Sequence, residues 1–491
     1  MLNTTLKFYH RQAIVELDNV PAHRTLQELL RNDLQVHDTK EGCAEGDCGA
    51  CTVVLGEPQG DKLVFKAVNS CIRLAHSVNG MAVFSAADLG ADQPHPVQTA
   101  LKECHASQCG FCTPGFTMSL FGLYQNKICQ GQTVTPHMAQ EHLSGNLCRC
   151  TGYRPIVEAA CTMGKLPTVH LDHVAITAHL RQASATPTVQ TSGTGYLRPQ
   201  HLQGVLQART QYPQAQLVAG CTDVGLWVTK HHREWSHIID VTQAQELLRL
   251  EFSDTHLTIG AAVSLENAWA AITQDRPQLR AYWHRFAGLP VRNSGTMGGN
   301  IANGSPIGDA MPVLIALNAH IALASLNEQG YVTERILPLE SLYTGYKQNC
   351  MAIGEVLSWI RVARPTATEW MQAYKISKRQ EDDISAVALA IRLDMNTSNQ
   401  VSAISIGAGG VGPVPARATH AEQAIQGQAW QLETIQAAQR ALAQQFSPIS
   451  DMRASAEYRA QVLGNLMHRA WLQSQPANTN IHGMLSLEDV A

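Results

Sequence analysis

The sequence predicts an α+β chain of several domains rather than one fold, and three observations point there. Its 491 residues exceed what one hydrophobic core organises. Eleven of its thirteen cysteines fall before residue 162, so the chain is chemically divided. Segments of strand-like and helical periodicity alternate, broken by a turn-rich stretch. The expected division is an α+β unit at 1–88, a helical unit at 89–165, a linker at 166–195, an α/β unit at 196–370 and an α+β C-terminal unit at 371–491.

Composition limits the function classes. Hydrophobic residues make up 45% and charged residues 15%, as in a globular protein, and a net charge of −4 gives no basic field for nucleic acid. The opening Met1 to Lys7 lacks the apolar run of a secretory signal, and no later stretch reads as a membrane span. A cytoplasmic chain is expected, in which clustered cysteines bind metal rather than form disulfides.

In the first unit, residues 7–17 read as one or two short strands. Thr25 and Glu28 form a capping box, ahead of Leu26, Leu29 and Leu30 on one helical face. A loop then carries Cys43, Cys48 and Cys51, with Cys71 following after nineteen intervening residues. Three thiols crowd onto one turn with Gly42, Gly46 and Gly49 interleaved, which lets backbone N–H groups face sulfur. This C-x4-C-x2-C…C spacing resembles the plant-type ferredoxin site for a 2Fe–2S cluster. Zinc on four thiolates is the alternative the residues alone leave open. Thr52 to Leu55 reads as a strand leaving the loop.

In the helical unit, Cys109 and Cys112 precede Thr113-Pro114, an N-cap with proline at the first helical position. Cys148 and Cys150 precede a similar start at Thr151 to Pro155. Two helix N-termini would then face each other and close a second four-thiolate site, favoured by their partial positive charge. Cys104, Cys129, Cys161, Cys221 and Cys350 fit neither set, and most of them read as small buried hydrophobes.

After the linker, residues 215–219 read as a strand that turns through Gly220-Cys221-Thr222-Asp223 into an apolar helix, an arrangement that aims free N–H groups at an anion. A second glycine-rich loop, Ser294 to Asn300, leads to Asp309. Gly407 to Gly412 satisfies G-x-G-x-x-G, but Pro413 and Pro415 follow where a dinucleotide loop must open into a helix, so no such site is expected. Alternation over 384–393 and 401–406 predicts strands, and helices are expected near 432–445 and 458–473.

The motifs Glu45 to Thr52, Gln108 to Gly115 and Gly145 to Pro155 resemble the iron–sulfur half of the molybdenum hydroxylases, the family of xanthine dehydrogenase, aldehyde oxidase and carbon monoxide dehydrogenase. Similarity runs over about residues 5–475. It implies a β-grasp ferredoxin domain, a helical 2Fe–2S domain, an FAD-binding domain of the vanillyl-alcohol-oxidase type and a C-terminal cap. It implies two 2Fe–2S clusters, on Cys43, Cys48, Cys51 and Cys71 and on Cys109, Cys112, Cys148 and Cys150. FAD would be held by Leu217, Val218, Ala219, Gly220, Cys221, Thr222, Asp223, Phe286, Gly295, Thr296, Gly299, Asn300, Asp309, Leu357 and Lys375. Cys221 stands where relatives often carry Asn, and Gly308 where a hydroxyl is common. Asp382, in the acidic loop at residues 381–384, and Tyr346 would line an NAD⁺ site, and Gln108 would meet molybdopterin held by a partner.

The resemblance further implies the small subunit of a split, bacterial-type xanthine dehydrogenase, since nothing here could house the large molybdopterin region. A large molybdopterin-binding subunit would complete it as a heterotetramer of two small and two large chains. Electrons from hydroxylation of hypoxanthine or xanthine would pass through both clusters to FAD and NAD⁺. Nicotinate, an aldehyde or another heterocycle is an alternative substrate, and a free-standing NADH-linked electron carrier is the alternative of another class.

Overall fold

A computed structural model describes residues 5–90, 93–185, 195–380 and 382–475. The chain forms two compact units, one of residues 1–245, 264–266 and 287–296, the other of 246–263, 267–286 and 297–491.

The first unit opens with strands β1 (Leu6–His10), β2 (Ala13–Leu17), β3 (Thr52–Gln59), β4 (Lys62–Asn69) and β5 (Ala82–Phe84), in the order β2-β1-β5-β3-β4. Only β1 and β5 run parallel. The expected capping box forms: the Glu28 N–H donates to Thr25 Oγ1 at 3.2 Å, and the Thr25 N–H to Glu28 at 3.0 Å. It starts a single helical turn, Leu26–Glu28, that widens into a π-turn over Leu29–Asp33. Leu26, Leu29 and Leu30 pack on Leu6, Phe8, Val53 and Leu55 from one face of the sheet. Tyr9, Val54, Phe65 and Phe84 on the other face pack against Met118, Phe121, Ile176 and Leu180. Both faces are therefore buried, so all five residues of β1, Lys7 and His10 included, are buried.

Helices Pro96–Glu103, Thr113–Asn126, Pro136–Leu143 and Arg154–Thr162 gather around Phe116, Leu120, Leu123 and Ile156. The segment expected as a linker is helical over His173–Ala185, because Ile176 and Leu180, four apart, dock on the aromatic face of the sheet. Beyond it, β6 (Gly195–Leu197), β7 (Gln216–Val218) and β8 (His237–Asp240) form a parallel sheet ordered β6-β8-β7.

The second unit holds a sheet of β9 (Leu250–Phe252), β10 (His256–Gly260), β11 (His320–Leu326) and β12 (Val332–Pro338), with the hairpin of β13 (Tyr343–Gly345) and β14 (Gln348–Asn349) following, and β15 (Val356–Ala363) at the sheet centre in the order β12-β11-β15-β10-β9. Its last part is a sheet of β16 (Glu369–Ile376), β17 (Val387–Met395), β18 (Val401–Gly409) and β19 (Ala416–Arg417). Helices Leu432–Gln445 and Ala456–Gln473 cover it, near the ranges expected, and Leu389, Ile391, Ile406, Ile435, Leu442 and Leu466 share that core. The G-x-G-x-x-G run ends β18 without opening a helix. A Cβ on Gly407 would sit 2.0 Å from Pro312 O, so this glycine serves helix packing.

Candidate functional site

The loop between Lys40 and β3 brings the first cysteine set together. Ala44, Gly46 and Gly49 take positive φ values of 55°, 80° and 68°, coiling the backbone tightly around Cys43. The Glu45 and Cys48 N–H groups each donate to Cys43 Sγ at 3.4 Å. Side-chain hydrogen bonds from Cys48 and then Cys71 pull the Cys43 thiol far below its ordinary value, and Cys71 does the same for Cys51. Cys48 is pushed up in turn by Cys43, and Cys71 by Cys43 and Cys51. The four sulfurs thus form one contacting chain, with Cys51 and Cys71 each 2% exposed.

The second set closes in pairs, Cys112 with Cys148 and Cys109 with Cys150. Burial, then the Cys148 contact, pushes Cys112 up to about 12. Burial also pushes Cys148 up, but hydrogen bonds led by Thr151, whose hydroxyl lies at 3.2 Å, hold it below its ordinary value. Cys112 itself caps helix Thr113–Asn126, while the Thr113 hydroxyl, expected as the cap, pairs with Ser107 at 2.6 Å. The second helix begins at Arg154, within the entry expected at Thr151 to Pro155, after Tyr153 at φ +69°. Tyr153 turns its hydroxyl back to accept the Cys148 N–H at 3.0 Å. Cys109 and Cys150 are exposed, with Gln108 beside them and Phe111, Leu147 and Tyr153 also in solvent.

The two sets are joined directly. The Leu147 N–H, next to Cys148, donates to Cys48 O at 3.0 Å, and Asn146 Nδ2 donates to Gly49 O at 3.2 Å. Ser119 Oγ holds the Asn146 carbonyl at 2.6 Å. A Cβ on Gly115 would lie 2.2 Å from Gly49 O. Asn146 and Gly115 lie inside the quoted motifs, yet sequence reasoning gave them no role. Among the described residues no three His, Cys, Asp or Glu side chains close on a single ion. Two sulfur pairs in the second set, and N–H groups aimed at Cys43 Sγ in the first, fit two-iron clusters better than single zinc ions. Of the other cysteines only Cys221 is buried; Cys104, Cys129, Cys161 and Cys350 are half-buried, because each lies near a helix or loop surface.

In the first unit, Leu217 and Val218 end β7, and Ala219 to Asp223 turn into helix Val224–Thr229. Gly220 meets the second glycine-rich segment backbone to backbone: its Cβ would lie 1.8 Å from Ser294 O and 2.6 Å from Gly295 Cα. Thr296 is buried there. Cys221 sits at φ +63°, a left-handed conformation that Asn adopts more readily. Burial pushes its thiol up to about 12.

In the second unit, Gly299 and Asn300 lie in helix Met297–Asn303 rather than in a loop. Gly298 permits this: its Cβ would lie 2.5 Å from that of Ala261, against which the helix packs. Asn300 Oδ1 is buried without a hydrogen-bond partner, an opening that a bound polar group such as a flavin would fill. Asp309 and Lys375, 66 residues apart, form a buried ion pair at 2.7 Å. Ser385 donates to the other Asp309 oxygen at 2.5 Å, and Lys375 also donates to Arg285 O at 2.8 Å. Phe286 and Leu357 are buried. Tyr346 is 59% exposed, with Lys347 over its ring. Asp382 takes φ +47°, its carbonyl held by Arg379 at 2.9 Å; Glu381 lies outside the described residues.

Four family profiles match in succession: a 2Fe-2S iron-sulfur cluster binding domain at residues 11–75, a [2Fe-2S] binding domain at 85–161, an FAD binding domain in molybdopterin dehydrogenase at 189–365 and a CO dehydrogenase flavoprotein C-terminal domain at 372–474. The chain belongs to the molybdenum hydroxylases. It carries their iron–sulfur and FAD domains. Xanthine dehydrogenase of Drosophila pseudoobscura pseudoobscura is 34% identical over 81% of this chain and 34% of its own length. Xanthine dehydrogenase 1 of Arabidopsis thaliana is 31% identical over 84% of this chain and 35% of its own. The chain therefore spans about a third of these molybdenum hydroxylases. A carbon monoxide dehydrogenase structure from Hydrogenophaga pseudoflava that lacks the Mo-pyranopterin moiety matches with a TM-score of 0.53 and 26% identity, over 58% of this chain and 99% of that one. No helix among the described residues is long and apolar enough to cross a membrane.

Proposed function

We propose that this chain is the electron-transfer subunit of a xanthine dehydrogenase. Electrons from hydroxylation of hypoxanthine or xanthine at a partner's molybdenum cofactor would pass through the two clusters to FAD, and NAD⁺ would accept them. The observation that carries the reading is the hydrogen-bonded junction of the two cysteine sets, Leu147 to Cys48 and Asn146 to Gly49. Similarity to xanthine dehydrogenases over more than four fifths of the chain supports the purine substrate.

The clusters supply one-electron chemistry and the flavin exchanges electron pairs with hydride carriers. This chain's own residues do the holding. The eight cysteines ligate iron, and the Glu45 and Cys48 N–H groups stabilise negative charge on Cys43. FAD is assigned to residues 217–223, 286, 295, 296, 299, 300, 309, 357 and 375, Asp309 and Lys375 bracing each other. Asp382 and Tyr346 are assigned to NAD⁺. Gln108, exposed beside exposed Cys109, is assigned to the molybdopterin contact. The domain division is that given from the sequence, and the partner is a large molybdopterin-binding chain, two of each forming the assembly.

Co-expression with a candidate large molybdopterin-binding chain, followed by assay of xanthine-dependent NAD⁺ reduction, tests the reading. Gln108→Ala should slow electron entry from xanthine and leave NADH-to-dye activity intact. Asp382→Ala should raise KM for NAD⁺ with FAD and both clusters retained. Turnover of nicotinate or an aldehyde instead of xanthine would replace the substrate assignment, and failure to capture a large chain would favour the free-standing carrier.

A further inference from the structure

Helix Val224–Thr229 has the flavin-loop residues 217–223 at one end and touches the first cysteine loop at the other. Its six residues span about 9 Å at ~1.5 Å rise per residue. At its far end Thr229 Oγ1 donates to Ala44 O at 2.7 Å, and Lys230 Nζ donates to Cys43 O at 2.5 Å. Lys230 also lies 3.7 Å from Glu45. In its first turn, Gly225 passes so close to Ile72, the residue after Cys71, that a Cβ would meet Ile72 O at 2.3 Å. Residues beside two cysteines of the set are therefore gripped by one short helix from the flavin segment.

We propose that Thr229 and Lys230 are positioning residues of the electron path, a role that rests on the cluster reading above. They tether the Cys43 loop to the helix that begins at the flavin loop, and Lys230 raises the reduction potential of the cluster held there. The Ala44 carbonyl that Thr229 holds belongs to the same peptide group as the Glu45 N–H that donates to Cys43 Sγ. Reduction adds one electron to the cluster. A fixed cation beside Cys43 and firmly aimed N–H groups both favour the more negative form. The Lys230 ammonium and its Glu45 contact are both solvent-exposed and screened, so the hydrogen bonds to the carbonyls, which fix the loop, carry most of the effect.

The test is an anaerobic redox titration of the intact chain followed by electron paramagnetic resonance, with the second cluster as internal reference. At the wild-type midpoint, Lys230→Met is expected to lower the reduced-to-oxidised ratio of the first cluster about threefold, about 28 mV at ~59 mV per decade. Lys230→Arg restores it, and adding Thr229→Val to Lys230→Met lowers it further. Iron, FAD and the second midpoint stay as in wild type. If Lys230→Met loses iron, Lys230→Gln, an uncharged donor, is read the same way. A wild-type first midpoint in the double variant, or in Lys230→Gln if Met loses iron, overturns the proposal. Wild-type protein without labile sulfide would instead remove the cluster reading on which it rests.

Discussion

Asn146→Ala cuts the junction between the two cysteine sets without touching a cysteine. Asn146 is 4% exposed, and its amide receives Ser119 Oγ at 2.6 Å while donating to Gly49 O at 3.2 Å and, more weakly, to Thr52 Oγ1 at 3.4 Å. Two good hydrogen bonds contribute about 1 kcal/mol each, and leaving the buried Ser119 hydroxyl alone costs about 1 kcal/mol more. Gly49 O keeps its bonds from Thr52 N and Oγ1, so it adds little. The expected loss is about 3 kcal/mol, roughly a hundredfold rise in local opening at about 1.4 kcal/mol per decade. Hydrogen–deuterium exchange of a peptide spanning residues 145–150 reads it, because the Leu147 N–H is held by Cys48 O. Ser119→Ala alone should cost about 1 kcal/mol, and the double variant about 2 kcal/mol less than the sum, because the shared bond is lost only once and no hydroxyl is stranded. Exchange within about threefold of wild type would refute the reasoning, since the junction would then be held by something other than this side chain.

Other outcomes follow from separate parts of the chain. Glu369 is 2% exposed on its side chain and bridges Arg276 at 2.7 Å and Arg392 at 2.9 Å. Glu369→Met leaves Arg276 buried without its carboxylate and should cost about 3–5 kcal/mol of second-unit stability, read by thermal unfolding, while the cluster absorbance of the first unit persists. Burial lowers His95 from 6.5 to about 4, so the folded form resists its protonation. The unfolded chain binds that proton first, so about 3 kcal/mol of stability present above about pH 6.5 is lost as pH falls to about 4. His95→Asn should flatten that acid limb in urea unfolding at a series of pH values; an unchanged limb would place the acid sensitivity elsewhere. Asp309→Ala strands Lys375 in the interior and should reduce both second-unit stability and FAD content, with iron unchanged.

Both cysteine sets are legible in the sequence because each repeats one residue type at a short fixed spacing, and the structure brings the members of each set together. The Thr25 capping box and the C-terminal helices are legible because their signals are local. The junction residues are not, because Asn146 and Gly115 act through contacts with Gly49 some 66 to 97 positions away. Helix His173–Ala185 is hidden because Ile176 and Leu180 offer few apolar markers and part of the docking face is His173 against Phe65 and His179 on Tyr9, which read as polar. Gly298 and Gly299 read as a loop, yet the small Ala261 opposite lets a helix form. The partner of Lys375 is a tertiary fact that spacing cannot supply. Rejection of a dinucleotide loop at Gly407 needed only Pro413 and Pro415, and β18 ends there without a helix.

The central claim is that each cysteine set holds a two-iron cluster in a chain that also holds FAD. Assay of iron, acid-labile sulfide, zinc and flavin on anaerobically purified protein tests it most directly. The expected result is about four irons, four labile sulfides and one FAD per chain, falling to about two irons and two sulfides in Cys150→Ala. Zinc at about one or two per chain with no labile sulfide would contradict it.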